Sequence, residues 1–220
     1  MRVLNIKNWP YDIEYHEDWE EIIGNISDVM EETGPLLLKD EKTSPPHEHI
    51  FKQLKQPLKD KRVCIVGIDP YPFGATGVPF ESPDFSKKTI KAIADNISKR
   101  YNVRLYKNYN FILVEGVIVW NYYLSCIEGK TKSHKLYWER LSDVFINHIA
   151  SYVSVFYFLG KSDFSNYYKS ILNSPTTVVI GYHPAARNSQ FESDETFEIV
   201  NTLLEIKDMP RINWIQGFEI

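Results

Sequence analysis

The stretch Val63-Cys64-Ile65-Val66-Gly67-Ile68-Asp69-Pro70-Tyr71-Pro72 constrains the fold more than any other part of the chain. Five apolar or small residues in a row, rich in β-branched side chains, predict a fully buried strand of a parallel sheet. The run stops at Gly67, because Asp69-Pro70-Tyr71-Pro72 can continue neither a strand ladder nor a helix. A carboxylate is thereby set at the C-terminal edge of a buried strand, where open α/β sheets place their ligands. Taken alone, Asp69-Pro70 reads more readily as the start of an ordinary turn. The rest of the chain decides otherwise.

Three further apolar runs end in the same manner: Ile112–Trp120 at Asn121, Val153–Leu159 at Gly160-Lys161, and Thr176–Ile180 at Gly181-Tyr182-His183. Helical periodicity separates them. Ser86 is placed to cap a helix with Ile90, Ile93, Ala94 and Ile97 on one face, and Lys132–Ile149 and Glu192–Leu204 give two more. The alternation predicts an α/β fold with a central four-stranded parallel sheet flanked by helices. Upstream, Val3–Ile6 and Tyr11–Tyr15 are expected as short strands packed on the outside. Asp18–Thr33 is expected as a helix ended by Gly34-Pro35, and His47–Leu54 as a short helix. The tail Arg211–Phe218 is a candidate edge strand. At 220 residues the chain makes one domain, with residues 1–50 as an N-terminal extension packed on it.

Helices carry the chain back after each strand, so the four strand ends lie on one edge of the sheet. Asp69, Asn121, Lys161 and His183 then bring a carboxylate, an amide, a cation and an imidazole to one cleft. Singly, Asn121 reads as a helix cap, His183 as a turn residue and Lys161 as a surface cation. Their convergence makes a candidate active site. A formal net charge of −4 provides no general basic field, so any phosphate-binding face must be local. Cys64 and Cys126 fit neither a metal spacing nor a disulfide framework and read as free thiols of a reducing compartment. Trp9, Pro10 and nearby acidic residues occupy the place of a secretory signal's apolar core, and no run approaches a membrane span. A soluble intracellular protein is expected.

The motifs Gly67-Ile68-Asp69-Pro70-Tyr71-Pro72, Gly77-Val78-Pro79-Phe80, Val117 to Cys126, Ser133-His134 with Trp138, Gly160-Lys161 and Gly181 to Arg187 occur in this order. In that ordered set, from about Phe51 to about Leu204, the chain resembles the family 1 uracil-DNA glycosylases, most closely their poxvirus branch. The resemblance implies a metal-independent glycosylase that needs no cofactor and hydrolyses the bond between uracil and deoxyribose in DNA. It implies Asp69 and His183 as catalytic residues, the first orienting water and the second hydrogen-bonding uracil O2. It implies a base pocket of Ile68, Tyr71, Phe80 and Asn121: Phe80 stacks on the base, Asn121 reads its edge, and Tyr71 excludes a C5 methyl. Lys161, His134 and Arg187 fall where the family meets DNA.

The departures are specific. Ile68 replaces a glutamine, so contact there falls to the backbone. Pro72 replaces a histidine, and Arg187 a leucine wedge. Acidic Glu81-Ser82-Pro83-Asp84 follows Phe80, and no proline-serine pinching loop is recognisable. The poxvirus resemblance further implies a role in the viral DNA polymerase processivity factor. Its partners would be uracil-containing single- and double-stranded DNA, a polymerase accessory protein and the helicase-primase, with room for a homodimer and no membrane. The working place would be the host cytoplasm. A non-catalytic DNA-binding scaffold joining the same partners is the alternative. Asp163–Pro175, with Phe164, Tyr167, Tyr168 and Ile171, is a candidate partner surface or else a helix covering the sheet.

Overall fold

The computed structural model describes residues 1–161, 176–185 and 190–219. The chain opens with β1 (Arg2–Leu4), β2 (Ile13–Tyr15), α1 (Ile23–Leu37), β3 (Thr43–Ser44) and β4 (Val63–Gly67). It continues through α2 (Lys88–Tyr101), β5 (Asn108–Tyr109), β6 (Val117–Asn121), β7 (Cys126–Ile127) and α3 (Lys135–Ala150). It closes with β8 (Val155–Leu159), β9 (Thr177–Gly181), α4 (Thr196–Ile206) and β10 (Phe218–Glu219). The central sheet has four strands, all parallel, in the order β6-β4-β8-β9. The predicted fold class is therefore the observed one.

Strand alternation splits the interior into two layers. Cys64, Val66, Ile118, Trp120, Phe156 and Phe158 face a core shared with the N-terminal segment, α1 and α3. Val63, Ile65, Val117, Val119, Val155 and Tyr157 face a second core built with α2, α4 and the C-terminal segment. All five residues of β4 are buried, as a central parallel strand covered on both faces requires. Among the described residues no helix is long and apolar enough to cross a membrane.

Several local expectations are corrected. The N-terminal strands do pair, but they are not an outer decoration: Ile13 and Tyr15 are buried, and Trp19 is fully buried against Trp120 at 5.0 Å between ring centroids. The predicted helix at Asp18 begins as a 3₁₀ turn, Glu17–Ile22, and α1 then runs through Gly34-Pro35 to Leu37. A proline in the last turn costs one amide bond only, and Gly34 lets the helix lie against Trp9, where a Cβ would come within 3.3 Å. Ser86 does not cap α2. Its hydroxyl donates to Asp84, while Ser82 Oγ accepts the N–H groups of Ser86 and Lys87 at 3.0 and 3.3 Å. The first half of Ile112–Trp120 is a 3₁₀ turn, Phe111–Leu113, and the strand starts only after Gly116 at φ +78. His47–Leu54 holds two 3₁₀ turns rather than one helix. The tail pairs with β5 in a separate two-stranded sheet instead of extending the central one.

The outer edge of β6 is covered by side chains that imitate a neighbouring strand. Gln56 donates to the Val119 carbonyl at 3.0 Å and accepts the Val119 N–H at 3.3 Å, and Gln53 accepts the Asn121 N–H at 3.0 Å. The edge is thus satisfied without offering a free ladder. Trp19 Nε1 donates in turn to the Gln56 carbonyl at 2.9 Å, so the N-terminal extension braces this clamp.

Asp18 ties the same extension to the approach of β4. Its Oδ2 accepts the N–H groups of Leu58 and Lys59 at 2.7 and 2.9 Å. Burial would raise its pKa, but the Lys59 and Leu58 amides and nearby His16 outweigh burial and hold it below the ordinary 3.8. A depressed carboxyl contributes stability above its unfolded pKa and loses it as pH falls through the folded value. Asp18→Asn is expected to cost about 1–3 kcal/mol near neutrality. In denaturant titrations the gap between wild type and variant should close as pH drops below 3.8; a gap constant with pH would disprove the linkage.

Candidate active site

At the C-terminal edge of β4 and β6 lies a cavity of about 330 Å³. The register explains what meets there, because parallel pairing sets Gly67 beside Asn121 at the ends of the two strands. A Cβ on Gly67 would stand 3.0 Å from Phe80 Cζ and 3.1 Å from Asn121 Oδ1. The ring and the amide oxygen therefore converge so closely over Gly67 that a side chain there would press one of them aside by a few tenths of an ångström. Phe80 itself is 9 % exposed and sits at φ +61, an uncommon conformation for a bulky residue. Its ring packs edge-on against Phe111, and its carbonyl accepts the Tyr71 hydroxyl at 3.4 Å.

Asp69, Tyr71, Asn121 and His183 line the same cavity, together with Ile68 and Gln53. Asp69 leaves β4 on the Asp-Pro turn, and its Oδ2 accepts the Lys132 N–H at 2.8 Å. Its charge reaches Cys126, whose thiol is pushed up to about 12, chiefly by burial and then by this carboxylate. The Tyr71 phenol is raised far above its ordinary value by burial, so it stays neutral. The Ile68 carbonyl accepts the Tyr123 N–H at 2.9 Å, fixing the backbone between Gly67 and Asp69.

His183 follows β9 and is half-buried. The Ala185 N–H donates to its Nδ1 at 3.0 Å. Nδ1 is therefore an acceptor, and the neutral ring carries its proton on Nε2.

The cation of the predicted constellation stands apart. Lys161 is exposed, lies outside the cavity lining, and holds its Nζ 5.3 Å from the Tyr182 ring centroid. His134, expected near the DNA backbone, is 1 % exposed: Ser125 Oγ is 2.9 Å from Nδ1 and Asp40 Oδ2 is 3.2 Å from Nε2. Burial first, against the pull of Asp40, lowers its pKa. It braces the loop before α3 from within instead of presenting a donor to solvent. Arg187 and Asp163–Pro175 fall outside the described residues.

Three contributors were not apparent in the sequence: Gln53, Lys132 through its main-chain N–H, and Asp194, whose Oδ2 accepts the Tyr182 N–H at 2.9 Å. Each works on or through a backbone atom far away in sequence, a relation that no motif spacing records. Among the described residues no group of three or more His, Cys, Asp or Glu side chains is arranged to hold a metal ion.

Gln53→Leu should leave the Asn121 N–H without its acceptor and loosen the amide over Gly67. Hydrogen exchange at the Asn121 amide should quicken about 10-fold. An unchanged exchange rate in a folded variant would show that β6 holds Asn121 without help.

Comparison with known proteins gives a consistent result. The sequence model of the uracil DNA glycosylase superfamily matches residues 55–205. A fowlpox virus protein described as uracil-DNA glycosylase is 80% identical over 220 residues, covering 100% of both chains. A uracil-DNA glycosylase from Streptococcus equi subsp. zooepidemicus is 27% identical over 181 residues, 78% of this chain and 83% of that one. Among solved structures, mimivirus uracil-DNA glycosylase matches with a TM-score of 0.75 at 16% identity, covering 92% of this chain and 87% of that one.

Proposed function

This chain belongs to the uracil DNA glycosylase superfamily, and we propose that it is itself a uracil-DNA glycosylase, hydrolysing the N-glycosidic bond of deoxyuridine in DNA. One observation carries the assignment of roles: an aromatic ring, an amide oxygen, a carboxylate and an Nε2–H imidazole surround one cavity of about 330 Å³.

The target nucleotide must leave the helix to reach such a pocket. Phe80 stacks on the uracil. Asn121 Oδ1 accepts the N3–H and its amide N–H donates to O4, while the Ile68 main-chain N–H supplies a further donor. Cytosine presents the reverse polarity at that edge, which costs about 1–3 kcal/mol for each group left unpaired. Tyr71 fills the space beside C5, where thymine carries a methyl.

As the bond breaks, the sugar becomes cation-like and the base takes the negative charge. Ionised Asp69 stabilises the cation and orients the water that adds to C1′, taking the proton this water sheds and passing it to solvent. His183 donates its Nε2–H to O2, where charge accumulates, and a strengthened hydrogen bond needs no full proton transfer. The departing N1 anion is protonated afterwards by solvent. These steps use the protein's own groups and water, and chelator should not slow them.

A second role is proposed on the sequence resemblance to the poxvirus branch, together with the high identity to the fowlpox virus protein. The protein would join a polymerase accessory protein and the helicase-primase as part of the viral processivity factor, at replication sites in the host cytoplasm. Lys161 and Arg187 would serve DNA contact there. Pull-down of the purified accessory protein, followed by product-length analysis on a primed template, tests this role. Unchanged product lengths would dismiss it.

For catalysis, wild type should release free uracil from a labelled oligonucleotide in excess chelator. Asp69→Asn should slow release about 10²–10³-fold while uracil-DNA binding persists. Wild-type rates in that variant would remove Asp69 from the mechanism. Tyr71→Ala should admit the C5 methyl and give measurable thymine release; continued exclusion of thymine would mean another residue guards C5.

A further inference from the structure

The segment carrying His183 leaves β9 at Gly181 and joins α4 at Thr196, and both of its ends meet one carboxylate. Asp194 Oδ2 accepts the Tyr182 N–H at 2.9 Å. Its Oδ1 accepts the Thr196 N–H at 2.8 Å and the Thr196 hydroxyl as well. The residue is 9 % exposed and is held in its own turn. Its carbonyl accepts Asn96 Nδ2 at 3.0 Å and Arg100 Nη2 at 3.3 Å, both from α2, and its N–H donates to the Phe191 carbonyl at 3.1 Å. One buried acid thus joins β9, α2 and α4.

The donor count explains why an acid stands here. Three hydrogen-bond donors converge on the side chain, and a carboxylate offers acceptor sites only. An amide would have to turn its NH₂ toward one of those donors. Capping α4 alone would not demand this, since Asn or Ser serves at a helix N-terminus. The donor that capping does not account for is the Tyr182 N–H, one residue before His183. The approach is close as well: a Cβ on Gly181 would lie 2.6 Å from Tyr157 Cε2 and 3.0 Å from Asp194 Oδ2.

We propose that Asp194 is a positioning residue for His183. It pins Tyr182 at the sheet edge, so that the following turn brings the Ala185 N–H onto His183 Nδ1 and leaves the proton of the neutral ring on Nε2. The proposal rests on the glycosylase reading above.

The test compares single-turnover uracil release by wild type, Asp194→Asn, His183→Leu and the double variant. Release by wild type is established first, so failure of the glycosylase reading is seen separately. Asp194→Asn, nearly isosteric, should slow the chemical step about 10- to 100-fold with little change in KM. In the His183→Leu background the same substitution should add almost nothing, because the group it positions is gone. Thr196→Val keeps the Tyr182 bond and should lower Tm while leaving the rate unchanged. The ¹⁵N signals of the His183 ring give a readout independent of turnover, and Asp194→Asn should shift them toward a tautomer mixture. Equal slowing in both backgrounds, or unaltered His183 ring signals, would reduce Asp194 to a helix cap.

Discussion

The site depends on the close approach of two strands at a residue with no side chain. Parallel pairing of β4 with β6 places Asn121 beside Gly67, and the missing Cβ leaves room for the amide oxygen and the Phe80 ring at about 3 Å from the place it would fill. A methyl there would displace the ring or the amide. Phe80 lies over Gly67 from a backbone at φ +61, which costs on the order of 1–3 kcal/mol and persists where surrounding contacts over-determine it. Those contacts are visible: Phe111 against its ring edge and the Tyr71 hydroxyl on its carbonyl. The strain buys a rigid slot, so the base pocket need not be assembled when the nucleotide arrives.

That slot is supported from far outside the motifs. Trp120 precedes Asn121 on β6 and stacks on Trp19, whose indole N–H holds the Gln56 carbonyl. Gln56 and its neighbour Gln53 in turn hold Val119 and Asn121 by their main-chain groups. The N-terminal extension is thus continuous with the pocket wall through a stacked ring pair and a ladder of amide bonds. It belongs to the core that fixes the recognition amide.

The central strand and the polar strand ends were legible in the sequence because they depend on local chemistry. A β-branched run stopped by Asp-Pro has few other solutions, and a parallel sheet brings its C-terminal ends together by topology. What escaped notice depends on tertiary contact. Gln53 reads as one more polar residue in a short helix, and Asp194 as an acid in the first turn of the helix expected over Glu192–Leu204, until the fold carries them to Asn121 and Tyr182. His134, placed near DNA by resemblance alone, is buried here because Ser125 and Asp40 compensate both ring nitrogens, a pairing that no local spacing records. The Gly34-Pro35 pair was read as a helix end by propensity, and packing against Trp9 overrode it.

The charge pattern sets the final constraint. A chain of net charge −4 with a carboxylate lining its cavity must, on the proposed function, still approach a polyanion. The rim beside Asp69 meets this need in part: Lys132 is exposed next to the N–H that holds Asp69, and Lys87 places its Nζ 5.7 Å from the Tyr71 ring centroid. Acidic Glu81 and Asp84 stand just beyond Phe80 and work against phosphates on that flank. Affinity and chemistry are therefore separated in space. In the proposed mechanism Asp69 is matched to a cation that exists only as the bond breaks, and Lys132 lines the cavity beside it. Among the described residues, exposed Lys132 and half-buried Lys87 put positive charge beside the cavity, and Glu81 and Asp84 put negative charge beyond Phe80.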